Sequence, residues 1–94
     1  MRTYELVCII HPDLDDNAFK GVIEKVSGWI SEAGGNVDKV EPWGRRRMAY
    51  SIRKQREGQY VLFHISMLPS ATASLERNIR FQESVLRSML TLVE

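Results

Sequence analysis

The chain has 94 residues, 44% of them hydrophobic and 27% charged, and its 13 Lys and Arg against 12 Asp and Glu leave a formal net charge of +1. That size predicts one compact soluble domain over residues 1–94, with a small core, and excludes a second. One cysteine, Cys8, excludes an internal disulfide and fits a reducing, cytoplasmic compartment; MRTYELVCII is too briefly apolar, and too acidic at Glu5, for a signal peptide; and no apolar run approaches the roughly 20 residues of a membrane span.

Thr3 to Ile10 is rich in β-branched and apolar residues and predicts a buried strand. Tyr4, Leu6, Cys8 and Ile10 share one face, and Thr3, Glu5, Val7 and Ile9 the other. The fully apolar face is the predicted core, which makes Cys8 a small core side chain, not a nucleophile. A loop, His11-Pro12-Asp13-Leu14, leads to Asp15, a predicted N-cap, with Asp16 suited to the helix dipole in the first turn. Leu14 and Phe19 have hydrophobic-staple spacing, and Phe19, Ile23, Val26, Ile30 and Ala33 form one apolar stripe, with Trp29 at its edge. Gly34-Gly35 ends this helix. His11 has no metal-spaced partner and reads as structural.

A second strand begins over Asn36 to Glu41, is interrupted by Pro42 and Gly44, and resumes to Arg53. Proline inside a strand predicts an edge strand or a bulge. Lys54 to Gly58 reads as a polar turn and Gln59 to Leu68 as the third strand, with Val61, Phe63, Ile65 and Met67 inward and Tyr60, Leu62, His64 and Ser66 outward. His64 clusters with no second metal ligand, so its expected role is partner contact. Pro69-Ser70 opens a second helix to about Arg80, with Ala71, Leu75 and Ile79 inward. Val85 to Val93 is the last strand, with Leu86, Leu90 and Leu92 on the core face and Arg87 and Met89 opposite.

The order strand–helix–strand–strand–helix–strand, with right-handed crossovers, predicts an α+β ferredoxin-like split βαβ sandwich: a four-stranded antiparallel sheet with two helices on one face. Alternation then places Thr3, Glu5, Val7, Ile9, Arg47, Ala49, Ser51, Arg53, Tyr60, Leu62, His64, Ser66, Arg87, Met89 and Thr91 on the open face. Val7, Ile9, Leu62 and Met89 make that face unusually apolar for bare solvent, which points to a protein partner.

Function is most legible from Trp43 to Arg56, WGRRRMAYSIRKQR, which holds six cations, Arg45, Arg46, Arg47, Arg53, Lys54 and Arg56, and no acid. The remaining seven cations against 12 acids leave the rest of the chain at −5. A mildly acidic body with one basic band suggests a polyanion met at a defined place. The band also alternates, with Met48, Tyr50 and Ile52 expected on the core face and Arg47, Ala49, Ser51 and Arg53 outward; a plain solvated sheet face is the competing reading.

The fold alone does not fix the function. An acylphosphatase-like enzyme is disfavoured, because the loop from His11 to Asp16 offers a proline and three aspartates where a phosphate cradle needs glycines and cations. No nucleophile–base pair, carboxylate dyad or metal-ligand cluster stands out, so no catalytic residue, cofactor or small-molecule substrate is expected. An RNA-recognition motif shares the topology, and Gly58-Gln59-Tyr60-Val61-Leu62-Phe63 loosely echoes its third strand. Only Tyr60 faces outward to stack, however, so phosphate binding by arginines is better supported than base stacking. A regulatory or oligomerisation domain is the other alternative.

The same residues resemble a known family, the sixth protein of the bacterial small ribosomal subunit. Met1-Arg2-Thr3-Tyr4-Glu5 looks like its start and Pro12-Asp13-Leu14 like its first loop. Gly44-Arg45-Arg46-Arg47-Met48-Ala49-Tyr50-Ser51-Ile52 resembles its most specific signature, Gly58 and Tyr60 its third-strand entry, and Arg80 to Met89 its last strand. The likeness is collinear over almost the whole chain. Ser51 stands where many members have proline, and the sequence ends at Glu94 without the extended tail of many relatives, so a tail function is not expected of this stretch. The resemblance implies a non-catalytic ribosomal constituent that binds the central domain of 16S ribosomal RNA together with the eighteenth small-subunit protein. The expected RNA contacts are Arg2, Arg45, Arg46, Arg47, Arg53, Lys54, Arg56 and Arg87. The expected partner contacts are Val7, Ile9, Tyr60, Leu62, His64 and Met89.

Overall fold

The computed structural model describes residues 1–93. Its elements are β1 (Arg2–Ile10), α1 (Asp16–Glu32), β2 (Asn36–Ile52), β3 (Gln55–Met67), a 3₁₀ turn at Pro69–Ala71, α2 (Thr72–Arg80) and β4 (Val85–Leu92). The sheet order is β2-β3-β1-β4, antiparallel throughout, which is the predicted split βαβ arrangement. β2 is an edge strand, as Pro42 requires.

The main core lies between the sheet and the helices. Leu6, Cys8, Ile10, Val61, Phe63, Ile65 and Met67 are fully buried under α1 and α2. The side chain of Asp15 caps α1 by accepting from the Ala18 N–H at 2.8 Å. The helix turns toward the sheet one position from the expected stripe. Val22, Val26 and Ile30 are buried, while Phe19, Ile23, Trp29 and Ala33 are half-buried against the same core. In α2, Leu75 and Ile79 face inward as predicted.

Three features of the sheet depart from simple alternation. In β2, the register slips at Asp38 and again at Trp43: Pro42 pairs with Val61 but Gly44 with Tyr60. Gly44 permits this second bulge by taking φ +83°. Each extra residue exchanges the two faces. Met48 and Ile52 therefore pack on the open side, not in the core, and Tyr50 meets Arg87. The expected assignment of Met48, Tyr50 and Ile52 inward, with Arg47, Ala49, Ser51 and Arg53 outward, is thus reversed by one residue at Trp43.

In β4, Val85 pairs with Ile10 and Arg87 with Ile9, so Leu86 is an extra residue. It leaves the core face expected for it and joins Ile9 and Met48. Leu90 keeps its place against the core, while Leu92, near the chain end, is half exposed.

The third departure is the hairpin itself. β3 starts at Gln55, and the turn is the two residues Arg53 and Lys54, at φ 49° and 66°. Positive φ at both central positions is the hallmark of a tight hairpin turn that matches strand twist. The residues read as a polar turn, Lys54 to Gly58, are mostly strand. The ladder between β3 and β1 ends at Gln59–Ile10, so residues 45–58 project beyond β1 as an arm. The arm folds back over the open face. There Ile9, Met48 and Leu86 are 7–9% exposed and form a second, smaller core with Ile52 and Tyr60. Each such burial is worth about 1.5–3 kcal/mol against exposure, enough to hold the arm down.

Candidate nucleic-acid interface

The arm carries the basic band, and its curvature sorts the cations by their neighbours. Arg45 lies on the helix side of β2 beside Gln59. Its guanidinium donates to the Pro12 carbonyl at 2.7 Å and meets Glu57 at 3.3 Å. Gln59 Nε2 donates to the His11 and Leu14 carbonyls at 3.1 and 3.2 Å. Together they pin the β1–α1 loop to the arm. Arg53 donates to the Glu83 carbonyl at 3.0 Å, tying the hairpin turn to the segment before β4. Arg87 hydrogen-bonds the Tyr50 hydroxyl across the open face.

Arg46 falls on the open side, with its guanidinium 5.2 Å from the Trp43 ring centroid. Trp43 stacks on Tyr60 at 6.4 Å and 15°. Cation, indole and phenol stack as one group at the bulge; with Arg46 and Trp43 both exposed, the cation–π contact is worth about 0.5–1 kcal/mol. Arg47, Lys54 and Arg56 are exposed and make no hydrogen bond or ion pair among the described residues. Arg2 is also exposed, but it begins β1 opposite Met67, whereas the arm lies beyond the Ile10 end. At about 3.3 Å per residue the two are separated by roughly 25 Å. Seven of the eight expected RNA contacts therefore lie on or beside the arm, and Arg2 stands apart.

The expected partner residues divide differently. Ile9 and Leu62 face the open side, but at 9% and 8% exposure they are already covered within the chain, contrary to the apolar surface expected of them. Val7 and Tyr60 are half-buried, and Met89 is 53% exposed. Val7, Ile9, Tyr60 and Met89, with Met48 and Arg87, line an apolar groove of about 240 Å³ between the arm and the sheet, and Leu62 lies outside it. His64 stands at the other end of the face, with Nε2 3.3 Å from Glu41 and Nδ1 3.9 Å from Glu5. Lys39 lies 2.9 Å from Glu41. The Lys39 hydrogen bond, and to a lesser degree His64, hold the Glu41 carboxyl below its ordinary range. The open face is thus acidic at one end, apolar in the middle and basic at the arm.

Sequence alternation missed Trp43, Tyr50 and Gln59 as organising side chains. The signal for Trp43 was its place beside Gly44 in a proline-marked bulge; Gln59 carried none. Burial pushes the Cys8 thiol up to about 12, which fits a core residue and not a nucleophile. Among the described residues no group of three or more His, Cys, Asp or Glu is placed to hold a metal, and no helix is long and apolar enough to cross a membrane.

A split βαβ sandwich with a curled cationic arm places the chain among proteins of the ferredoxin-like fold. Comparison with known proteins supplies the family. The family described as Ribosomal protein S6 matches residues 3–91. The small ribosomal subunit protein bS6 of Moorella thermoacetica is 43% identical over 94 residues, covering 100% of this chain and 96% of its own. That of Exiguobacterium sp. is 45% identical over 91 residues, covering 97% and 96%. The crystal structure of 30S ribosomal protein S6 from Thermotoga maritima superposes with a TM-score of 0.91 at 30% identity, covering 97% of this chain and 86% of that one. The chain belongs to the ribosomal protein S6 family of the small subunit, as its sequence resemblance implied, and is a ribosomal protein, not an enzyme. Its place is the cytoplasmic ribosome, among ribosomal RNA and other ribosomal proteins.

Proposed function

We propose that residues 1–94 act as one RNA-binding domain that engages the central domain of 16S ribosomal RNA together with the eighteenth small-subunit protein. The observation that carries this reading is the arm, where an acid-free run of six cations is held against the sheet end by its own apolar underside. Phosphate contacts from such a surface position a protein without reading sequence. Arg45, Arg53 and Arg87 shape this surface through their carbonyl and hydroxyl partners, while Arg46, Arg47, Lys54 and Arg56 reach outward from it. The protein partner takes the groove beside Met89 and Val7, between the arm and the acidic end at Glu5 and Glu41. The RNA-recognition-motif alternative gains an outward aromatic pair in Trp43 and Tyr60, but the two rings stack on each other and Arg46 covers the indole.

The test is purification of the chain from bacterial lysate with and without ribonuclease, followed by binding of a 16S central-domain transcript in the presence and absence of the eighteenth protein. The expected result is ribonuclease-sensitive recovery of RNA and tighter binding when the second protein is present. Failure of the transcript to bind under either condition would overturn the reading.

A further inference from the structure

We infer that the bulged back of the arm is a phosphodiester-binding cleft, in which Arg47 and Arg56 close from two sides on one backbone phosphate of the RNA. This rests on the RNA-binding reading above and assigns it a specific anion site. The register of the hairpin carries the argument. Arg47 pairs with Glu57 and Ile52 with Gln55, so four residues of β2, Met48 to Ser51, stand against Arg56 alone. A slip of that size opens the ladder. The gap is a cleft of about 370 Å³ lined by Arg47, Met48, Ala49, Tyr50, Ser51 and Arg56.

No carboxylate lines the cleft. Glu57, the residue opposite Arg47, is turned to Arg45 at 3.3 Å. Neither Arg47 nor Arg56 has a hydrogen-bond or ion-pair partner among the described residues, whereas Arg45, Arg53 and Arg87 each do. Two guanidiniums border one cleft, one from each face of the hairpin, with no counter-charge in its lining. A phosphate oxygen pair matches the planar donor fork of arginine, and a charge-assisted, bidentate pair is the strongest hydrogen bond this inventory of side chains can make. Met48, which also lines the cleft, is buried with Ile9 and Leu86, so this stretch of β2 is anchored to the small core. Two arginines bordering one cleft can share a single phosphate.

The experiment measures binding of the 16S central-domain transcript, with the eighteenth protein present, as a function of salt. The chains are wild type, Arg47→Gln, Arg56→Gln, the double variant, and Arg47→Lys with Arg56→Lys. Lys20→Gln, on the exposed surface of α1, controls for overall charge. Removing a phosphate contact lowers the log–log salt slope by roughly one unit. Each Gln variant is expected to lower the slope, and the double variant to lower it by no more than that same unit, because both residues share one partner. The Lys pair should keep the slope and lose affinity, since the bidentate fork is gone. Thermal melting should be unchanged for all of them, because both side chains are exposed. Additive slope losses, or none, in chains that still bind the transcript would overturn the cleft alone. Absence of wild-type binding would overturn the cleft and the RNA reading together.

Discussion

Gly58 fixes how closely the arm can approach the sheet. A Cβ built on it would lie 2.3 Å from Cγ2 of Ile9, far inside van der Waals contact, and 3.5 Å from the Ile10 carbonyl. The offending methyl cannot swing away, because it is attached directly to the branched Cβ of Ile9, whose side chain is only 9% exposed between Met48 and Leu86. Gly58→Ala must therefore push the arm outward or force Ile9 off its rotamer. Overpacking of this kind costs about 1–3 kcal/mol, which in a domain of this size lowers Tm by roughly 4–8 °C for each kcal/mol. Ile9→Ala removes the clashing methyl and should cost about 2 kcal/mol alone, at the lower end for a buried isoleucine because the cluster is small and near the surface. The two changes share one contact, so the double variant should be more stable than the sum of the singles by about 1–2 kcal/mol. Urea denaturation followed by circular dichroism measures all three. A Gly58→Ala variant within about 0.5 kcal/mol of wild type, the range of ordinary surface changes, would refute the tight seating of the arm.

Two further outcomes follow from the core and the first helix. Cys8 has a thiol raised from 9.0 to about 12 by burial, so the folded chain keeps a proton that the unfolded chain loses above pH 9.0. Its contribution is complete below pH 9.0 and declines toward pH 12, at about 1.4 kcal/mol per pH unit in that window; the stability difference between wild type and Cys8→Ala, from denaturant titrations at stepped pH, should shift against wild type by that slope. Asp15→Ala removes the acceptor of the Ala18 N–H and should lower stability by about 1 kcal/mol in the same assay.

The fold was legible because its strongest signals are periodic and local. Period-two alternation in Tyr4 to Ile10 and Val61 to Met67 defines the inner face of the two central strands, and both keep it to the last residue. Asp15 and Gly34, at φ +83°, mark the ends of α1 by chemistry that needs no tertiary context. The edge strands behave otherwise. β2 and β4 have a neighbour on one side only, so an inserted residue disturbs a single ladder. Register slips collect there, at Asp38, Trp43, Met48 to Ser51 and Leu86, and each single-residue bulge exchanges the faces of what lies beyond it. Pro42 and Gly44 advertised a break, but the sequence holds no count of how many residues the break absorbs. One residue more or less decides whether Met48 or Arg47 points at the sheet.

The cationic site was legible as a stretch and illegible as a set of roles for the same reason. Charge is additive along a sequence, so an acid-free run of six cations is visible without any structure. Which of them remains available depends on oxygen atoms that are close only after folding. Arg45 is engaged by the Pro12 carbonyl, 33 positions away, and Arg53 by Glu83, 30 positions away. Both acceptors are backbone groups with no side-chain signature. The consequence is physical as well as diagnostic. A guanidinium already donating at 2.7 Å is held in place and has fewer N–H groups left for RNA, whereas Arg47 and Arg56 give up only water. In a chain of net charge +1, long-range attraction to RNA is weak. Selectivity for a polyanion must come from a few cations held close together and left unpaired. The bulged edge strand and the two-residue turn at Arg53-Lys54 achieve that by curling one hairpin over an apolar patch: Arg45 takes up Glu57, and Arg47 and Arg56 are left without a partner among the described residues.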